Sequence, residues 1–410
     1  MRILHVHKYF HDHDGASRYM IDVMNLQEKL GHSVAPFSMR DPRNLPSAWD
    51  KYFIANSDTS RVRWGLGLVK QLVTAAWSFE ARRNMKAVVA AFKPDIVHIH
   101  NIYTHLSPSI LGVCKAAGIP VVMTTHDYSL VSANYGLWDA ARQRSIAPGA
   151  GILAVARTRF IKGSWLATFV LELIYAWQRQ WRLYDRAIDK YLSPAKFVKD
   201  TLVAAKYSAS KIEVLTLFAS NLEFAETLRE QTKKRSGVLF AGRLESYKGI
   251  DLFLQAANAL PKTQFFVAGT GPDEELVREQ ARTSENLTYL GFLSGPELWR
   301  KMAEVEVVMV PSRWHEPYGL VSIEAMACGA TVLVSDAGGL HEKIKDGVNG
   351  LVFKAGDEKD LISKLKQALK HPKDLERMGE GAYRYAKAQA DPAKHVARIL
   401  EVYSEILIHR

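Results

Sequence analysis

The sequence predicts an α/β protein made of two doubly wound domains in tandem. Short, near-continuous Val/Ile runs alternate with longer amphipathic stretches, the pattern of parallel strands covered on both faces. That rhythm stops and restarts once, near residues 215–236. With 410 residues, 48% of them hydrophobic and 24% charged, the chain is long enough to bury two cores.

In the first half, "RILHVH" reads as a strand, "KYFHDHDGAS" as its loop and "RYMIDVMNLQEKL" as a helix closed by Gly31. "HSVAPFS" and "DIVHIH" follow as strands, then a helix through Cys114 to Gly118, then the strand "IPVVMTTH". The stretch "TLFASNLEFAETLREQTKKRSG" reads as a linker. Beyond it "VLFAGRL" is a strand, "GIDLFLQAANAL" a helix and "TQFFVAGTG" a strand ending in glycines. "LTYLGFL", "VVMVPS" and "TVLVSD" complete the second set. The glycine-rich "GTGPDEEL" is a weak nucleotide signal on its own and reads as a strand-to-helix turn. Domains are expected at 1–215 and 216–385, with residues 386–410 as a C-terminal helix crossing back to the first domain. In open sheets ligands gather at the carboxyl ends of the strands, so the cleft between the domains is the expected site.

Charge and cysteine content narrow the setting. Residues 1–217 hold 28 Lys and Arg against 16 Asp and Glu, whereas residues 218–410 hold 26 against 27. A basic first half suits an anionic partner, although a positive surface also serves solubility alone. Cys114 and Cys328 form neither a disulfide framework nor a zinc pattern, which points to a reducing compartment. The N-terminus shows no secretory leader, so a cytoplasmic location is expected. Residues 151–182 place Arg157, Arg159, Lys162, Arg179 and Arg182 around an apolar, Trp-rich centre. That centre, interrupted by Glu172, is too short to span a bilayer. It suits either a membrane interface or aromatic packing on the sheet.

Two stretches carry chemistry. "FAGRLESYKG" puts Arg243 and Lys248 just after a strand, where a fork of donors and a point charge suit a diphosphate. "PSRWHEPYGLVSIEAMACG" puts Glu316 before a helix and Glu324 a turn inside it. Its helix begins near Gly319 and Leu320, whose backbone N–H groups lack intrahelical partners and form a cradle for an anion or hydroxyl. The two acids could be a catalytic pair, a metal site or a helix start with a solvated face. Carboxylates accept from sugar hydroxyls, two at once from a ribose diol. Hard-metal ligation would need more donors than His315. His5, His7, His98 and His100 alternate on strands expected to be neighbours, with His11 and His13 in the adjoining loop. A metal site is conceivable there, but strand-end histidines lining a sugar-binding cleft are the expected account.

"GRLESYKG", the Glu316-x7-Glu324 spacing and "SDAGGLHEKIKDGVNGLVF" resemble the donor domain of retaining glycosyltransferases of family GT4, with the GT-B fold. "TTHDYSLVSAN" and "YLSPAKFVKDTL" are weaker echoes in the first half. The resemblance implies two Rossmann-like domains facing across a cleft, and transfer of a hexosyl group from a nucleotide sugar, UDP- or GDP-linked, to a glycan or lipid-linked acceptor. It implies a place in bacterial surface polysaccharide or glycolipid synthesis. By resemblance, Arg243 and Lys248 neutralise the donor diphosphate and Glu324 holds the ribose. Glu316 holds the donor sugar together with the amides from Tyr318 through Gly319 and Leu320 to Val321. Gly291-Phe292 meets the base. His126 faces the sugar and the acceptor, with Asp127 beside it and Gly15 and Ala16 in the first loop. Without the resemblance, His126 reads as a strand-end histidine bonded to backbone. Retention is implied to proceed by front-face attack, the departing phosphate oxygen taking the acceptor proton, with no protein nucleophile, metal or cofactor.

The sequence departs from the family pattern at Ala16, which stands where a second glycine is usual, and at "LFASNLEF", which lacks an Asn-Pro-Gly-type turn. The partners expected are the donor, the acceptor and peripheral contact with the anionic inner face of the plasma membrane, with no nucleic acid. A nucleotide-sugar epimerase or phosphorylase on the same fold is the alternative among enzymes. A catalytically inactive basic adaptor for membrane or nucleic acid is the alternative outside them.

Overall fold

The structure is a computed structural model that describes residues 1–56 and 66–409; residues 57–65 and Arg410 lie outside the described residues. The chain divides into two compact units. One comprises Met1–Ala141, Ile146–Leu215 and Val396–Arg410, the other Arg142–Ser145 and Thr216–His395.

The first unit holds a six-stranded parallel sheet in the order Ser33–Phe37, Arg2–Val6, Ile96–Ile99, Val121–Thr124, Lys190–Ser193, Ile212–Val214. All four residues of Ile96–Ile99 and of Val121–Thr124 are buried, as their apolar runs require of central parallel strands. The chain first steps to one side of Arg2–Val6 and then returns to lay Ile96–Ile99 on its other side. The carboxyl ends of those two strands therefore flank a topological switch point. The helix Gly15–Lys29 follows the first strand and starts with a capping box: the Ser17 amide donates to Asp14 Oδ1 at 2.8 Å, and the Asp14 amide donates to Ser17 Oγ. Helix Pro392–Ile408 ends the chain, and its residues from Val396 onward pack with this unit.

The second unit holds another six-stranded parallel sheet, ordered Leu287–Gly291, Phe265–Ala268, Val238–Ala241, Val307–Val310, Thr331–Ser335, Leu351–Phe353. Its switch point lies between Val238–Ala241 and Val307–Val310. The core packs Phe240, Phe253, Phe265, Val307, Met309 and Leu333 against helix residues such as Leu252, Leu361 and Leu365. "GTGPDEEL" is a turn between Phe265–Ala268 and the helix Glu274–Thr283.

Two expectations need correction. The stretch read as a linker contains the helix Leu222–Gln231, which buries Ala225 and Leu228 and reaches Glu380 through Arg229. Its dense polar residues form the solvated face of an amphipathic helix, which hid the apolar stripe. Residues 151–182 are not one segment but two helices, Ile152–Ala156 and Trp165–Gln180. Positive φ at Arg159, Lys162 and Gly163 breaks the chain between them. Cys114 and Cys328 are both buried free thiols.

Candidate functional site

The strongest convergence of functional groups lies within the second unit, at its switch point. The loop after Val238–Ala241 carries Arg243 and Lys248, and the loop after the adjacent strand Val307–Val310 carries Glu316. Gly249 holds these loops together. Its φ is +77°, and a Cβ built there would fall 2.0 Å from the carbonyl oxygen of Pro311, so only glycine lets the backbones approach. Arg313, overlooked in the sequence, completes the tie. It makes a two-pronged bond to Asp251, with Nη2 2.6 Å from Oδ2, and its amide donates to Tyr247 O at 2.8 Å.

Across that junction Lys248 Nζ donates to Glu316 Oε1 at 2.6 Å, and Ser312 Oγ donates to the same oxygen at 2.8 Å. Trp314 and Tyr247 wall the ammonium, which lies 4.7 Å from the Trp314 ring centroid. Burial pushes the Glu316 carboxyl upward, but the charge and hydrogen bond of Lys248, with Ser312, outweigh it and hold the group below the ordinary carboxylate range. Glu316 is thus an ionised acceptor on a loop tied to its neighbour through Lys248. An ammonium has three donors, and one of those of Lys248 goes to Glu316. Arg243 is exposed and pairs with Glu245 through Nε at 2.6 Å.

The helix Leu320–Ala327 starts at Gly319, whose φ is +77° and whose missing Cβ would fall 2.5 Å from Leu340 Cδ1. The Ser322 amide bonds back to Gly319 O at 3.0 Å, the first turn of an eight-residue helix. Tyr318 is buried, and its hydroxyl donates to Leu217 O at 3.0 Å. Its carbonyl accepts from Lys343, a second residue the sequence reading missed. Lys343 is buried, also donates to Leu340 O at 3.0 Å and lies over the Tyr318 ring. Burial pushes its ammonium down to about 7, partly opposed by the charge of Glu316. Glu324 is buried inside the helix, Val321 half-buried, and Phe292 exposed just beyond the strand Leu287–Gly291.

The remaining candidates belong to the first unit. His126 and Asp127 follow the strand Val121–Thr124, and each keeps part of its surface exposed. The Ser129 amide donates to Asp127 Oδ1 at 2.8 Å, while burial pushes that carboxyl up. Gly15 is exposed at the first position of its helix, whereas Ala16 is buried on the inner side.

The other histidines require a correction. His5, His7, His98 and His100 do not line a cleft: all four are fully buried. Register is the reason, since His5 pairs with His98 on neighbouring central strands. One ring nitrogen from each of His5, His98 and His100 lies within 4.8 Å of the other two, and hydrogen bonds account for all six nitrogens of the three rings.

The sequence profile of Glycosyltransferase Family 4 matches residues 13–217, and that of Glycosyl transferases group 1 matches residues 224–385. An uncharacterized 42.6 kDa protein of the cps region of Klebsiella pneumoniae is 25% identical over 78% of this chain and 82% of its own length. D-inositol 3-phosphate glycosyltransferase 1 of Catenulispora acidiphila is 26% identical over 75% of this chain and 72% of its own. Among solved structures, Anabaena HepE in complex with UDP and glucose superposes with a TM-score of 0.65 at 18% identity. It covers 99% of this chain and 100% of that one, a likeness of fold. The chain belongs to glycosyltransferase family 4, and it is a glycosyltransferase of the GT-B fold.

Proposed function

We propose that this glycosyltransferase moves a hexosyl group, with retention, from a UDP- or GDP-linked sugar to a glycan or lipid-linked acceptor in bacterial surface polysaccharide or glycolipid synthesis. The observation that carries the donor half is the meeting of Arg243, Lys248, Glu316 and the start of helix Leu320–Ala327 at one switch point. Lys248 and Arg243 receive the diphosphate, whose departure builds negative charge. Glu316 and the amides of Tyr318, Gly319, Leu320 and Val321 hold the sugar, Glu324 the ribose, and Phe292 the base. His126, Asp127, Gly15 and Ala16 serve the acceptor side. The acids share a ligand rather than a proton, so neither acts as the covalent nucleophile of a retaining glycosidase, and no resident metal or cofactor takes part. The complex of HepE with UDP and glucose and the cps location of the Klebsiella relative support this reading. It is tested by release of nucleoside diphosphate from UDP- and GDP-hexoses. Release stimulated by bacterial glycolipid extract is expected; no release from any donor would sink it.

A peripheral membrane contact is part of the same proposal. Among the described residues no helix is long and apolar enough to cross a membrane. Helix Trp165–Gln180 buries Ala167, Leu171, Tyr175 and Gln178, yet leaves Trp165, Leu166, Leu173 and Trp177 exposed on its other side, with Trp181 just beyond. Arg157, Arg159 and Lys162 before the helix, and Arg182 and Arg186 after it, are exposed as well. Interfacial tryptophans with basic neighbours fit an anionic bilayer surface.

A further inference from the structure

Inside the first unit a chain of side chains runs from helix Gly15–Lys29 to His126. Gln27 is fully buried, and its Oε1 lies 2.8 Å from His5 Nε2. His5 Nδ1 lies 3.2 Å from His100 Nε2, and His100 Nδ1 lies 3.0 Å from His126 Nε2. The His100 and His126 rings are stacked at 5.3 Å, and Tyr19 meets both edge-on.

Each neutral imidazole has one donor and one acceptor, so one end of such a chain dictates the other. An amide oxygen only accepts; hence His5 must carry its proton on Nε2 and accept at Nδ1. His100 then donates from Nε2 and accepts at Nδ1, and His126 donates from Nε2. The other face of the same amide orders a second branch. Gln27 Nε2 donates to Tyr403 Oη at 3.5 Å, Tyr403 donates to His98 Nδ1, and His98 Nε2 donates to Thr124 Oγ1 at 2.8 Å. Turning the amide over would reverse every proton in both branches.

We propose that Gln27, His5 and His100 are positioning residues that lock His126 as the Nε2–H tautomer, leaving its Nδ1 a bare acceptor for a substrate hydroxyl. The meaning of that acceptor rests on the placement of His126 at the acceptor side; the tautomer itself does not. Burial keeps the chain neutral, lowering His5 to about 4 and His126 to about 3. A neutral, fixed-tautomer histidine accepts a hydrogen bond from a hydroxyl, and so orients it, without first losing a proton of its own or turning its ring.

Long-range proton–nitrogen correlation spectra of the full chain labelled with ¹⁵N-histidine test this at pH 7. His5, His100 and His126 should each show a protonated Nε2 and a bare Nδ1. Gln27→Met should mix the two tautomers at His126, lowering kcat about 5–10-fold with KM for the donor changed less than twofold. If that variant does not fold, the wild-type spectrum decides alone. A proton on Nδ1 of His126, an imidazolium there, or stoichiometric zinc at His5, His98 and His100 by elemental analysis would overturn the relay. Should the spectrum match while no donor is turned over, the relay stands and the proposed function fails.

Discussion

Lys248 and Glu316 are each other's partner at 2.6 Å, although they come from loops at the ends of different strands. One pair thus joins the phosphate side of the proposed donor site to its sugar side. Removing one member strands the other in a largely dry place. Lys248→Met should destabilise the second unit by about 3 kcal/mol, read as a lower urea midpoint. Lys248→Met/Glu316→Gln should regain most of that stability but no activity. Equal stability of single and double variants would show that the pair is unstrained by burial.

Gly249 makes a separate claim on the same junction. Gly249→Ala meets both a positive φ and the Pro311 carbonyl, whereas Gly118→Ala has φ +69° with nothing within 4 Å. The strain of φ alone should cost about 1 kcal/mol at Gly118, and Gly249→Ala should cost at least about twice that and weaken nucleotide binding. Thermal melts of the two variants side by side check it. Matching losses would mean the loops do not depend on close backbone approach.

Lys343 gives the second unit a pH signature. Its pKa falls from about 10.5 unfolded to about 7 folded, so between those values the unfolded chain binds more protons. Stability from this group therefore rises with pH above 7 and is lost as pH falls back through 7. The wild type should gain on Lys343→Met steadily from pH 7 to pH 9 in urea titrations. A constant difference across that range contradicts the buried, proton-shedding lysine.

Much of the fold was legible because it is written locally. Buried parallel strands such as "IVHI" and "VVMT" declare themselves by continuous apolar residues. Strand order is not local: nothing in "FAGRL" says that its neighbour begins only at Val307. The histidine alternation was visible at residues 5, 7, 98 and 100, but not what it is for. Gln27 and Tyr403, which set the protons, are distant in sequence and ordinary in their surroundings. Lys343 and Arg313 escaped notice for a related reason, since cations that brace loops, one buried and one half-buried, look like any surface Lys or Arg until the fold gives them partners. The helix Leu222–Gln231 was hidden by its own charge.

The exposed face of Trp165–Gln180 predicts binding to vesicles. The wild type should sediment with vesicles containing a third anionic lipid, and Leu173→Glu/Trp177→Glu should lose at least 10-fold in affinity. High salt should weaken the wild type. Equal binding of wild type and variant would leave the aromatic face without this role.

The donor clamp is tested most directly by thermal shift with UDP, GDP and ADP sugars on the wild type, Arg243→Ala and Glu324→Ala. At saturating ligand one nucleotide sugar should raise the wild-type Tm by several degrees, and both variants, folded at their own baseline, should lose most of that shift. A wild type that no nucleotide sugar stabilises, or variants that respond as the wild type does, would contradict the account.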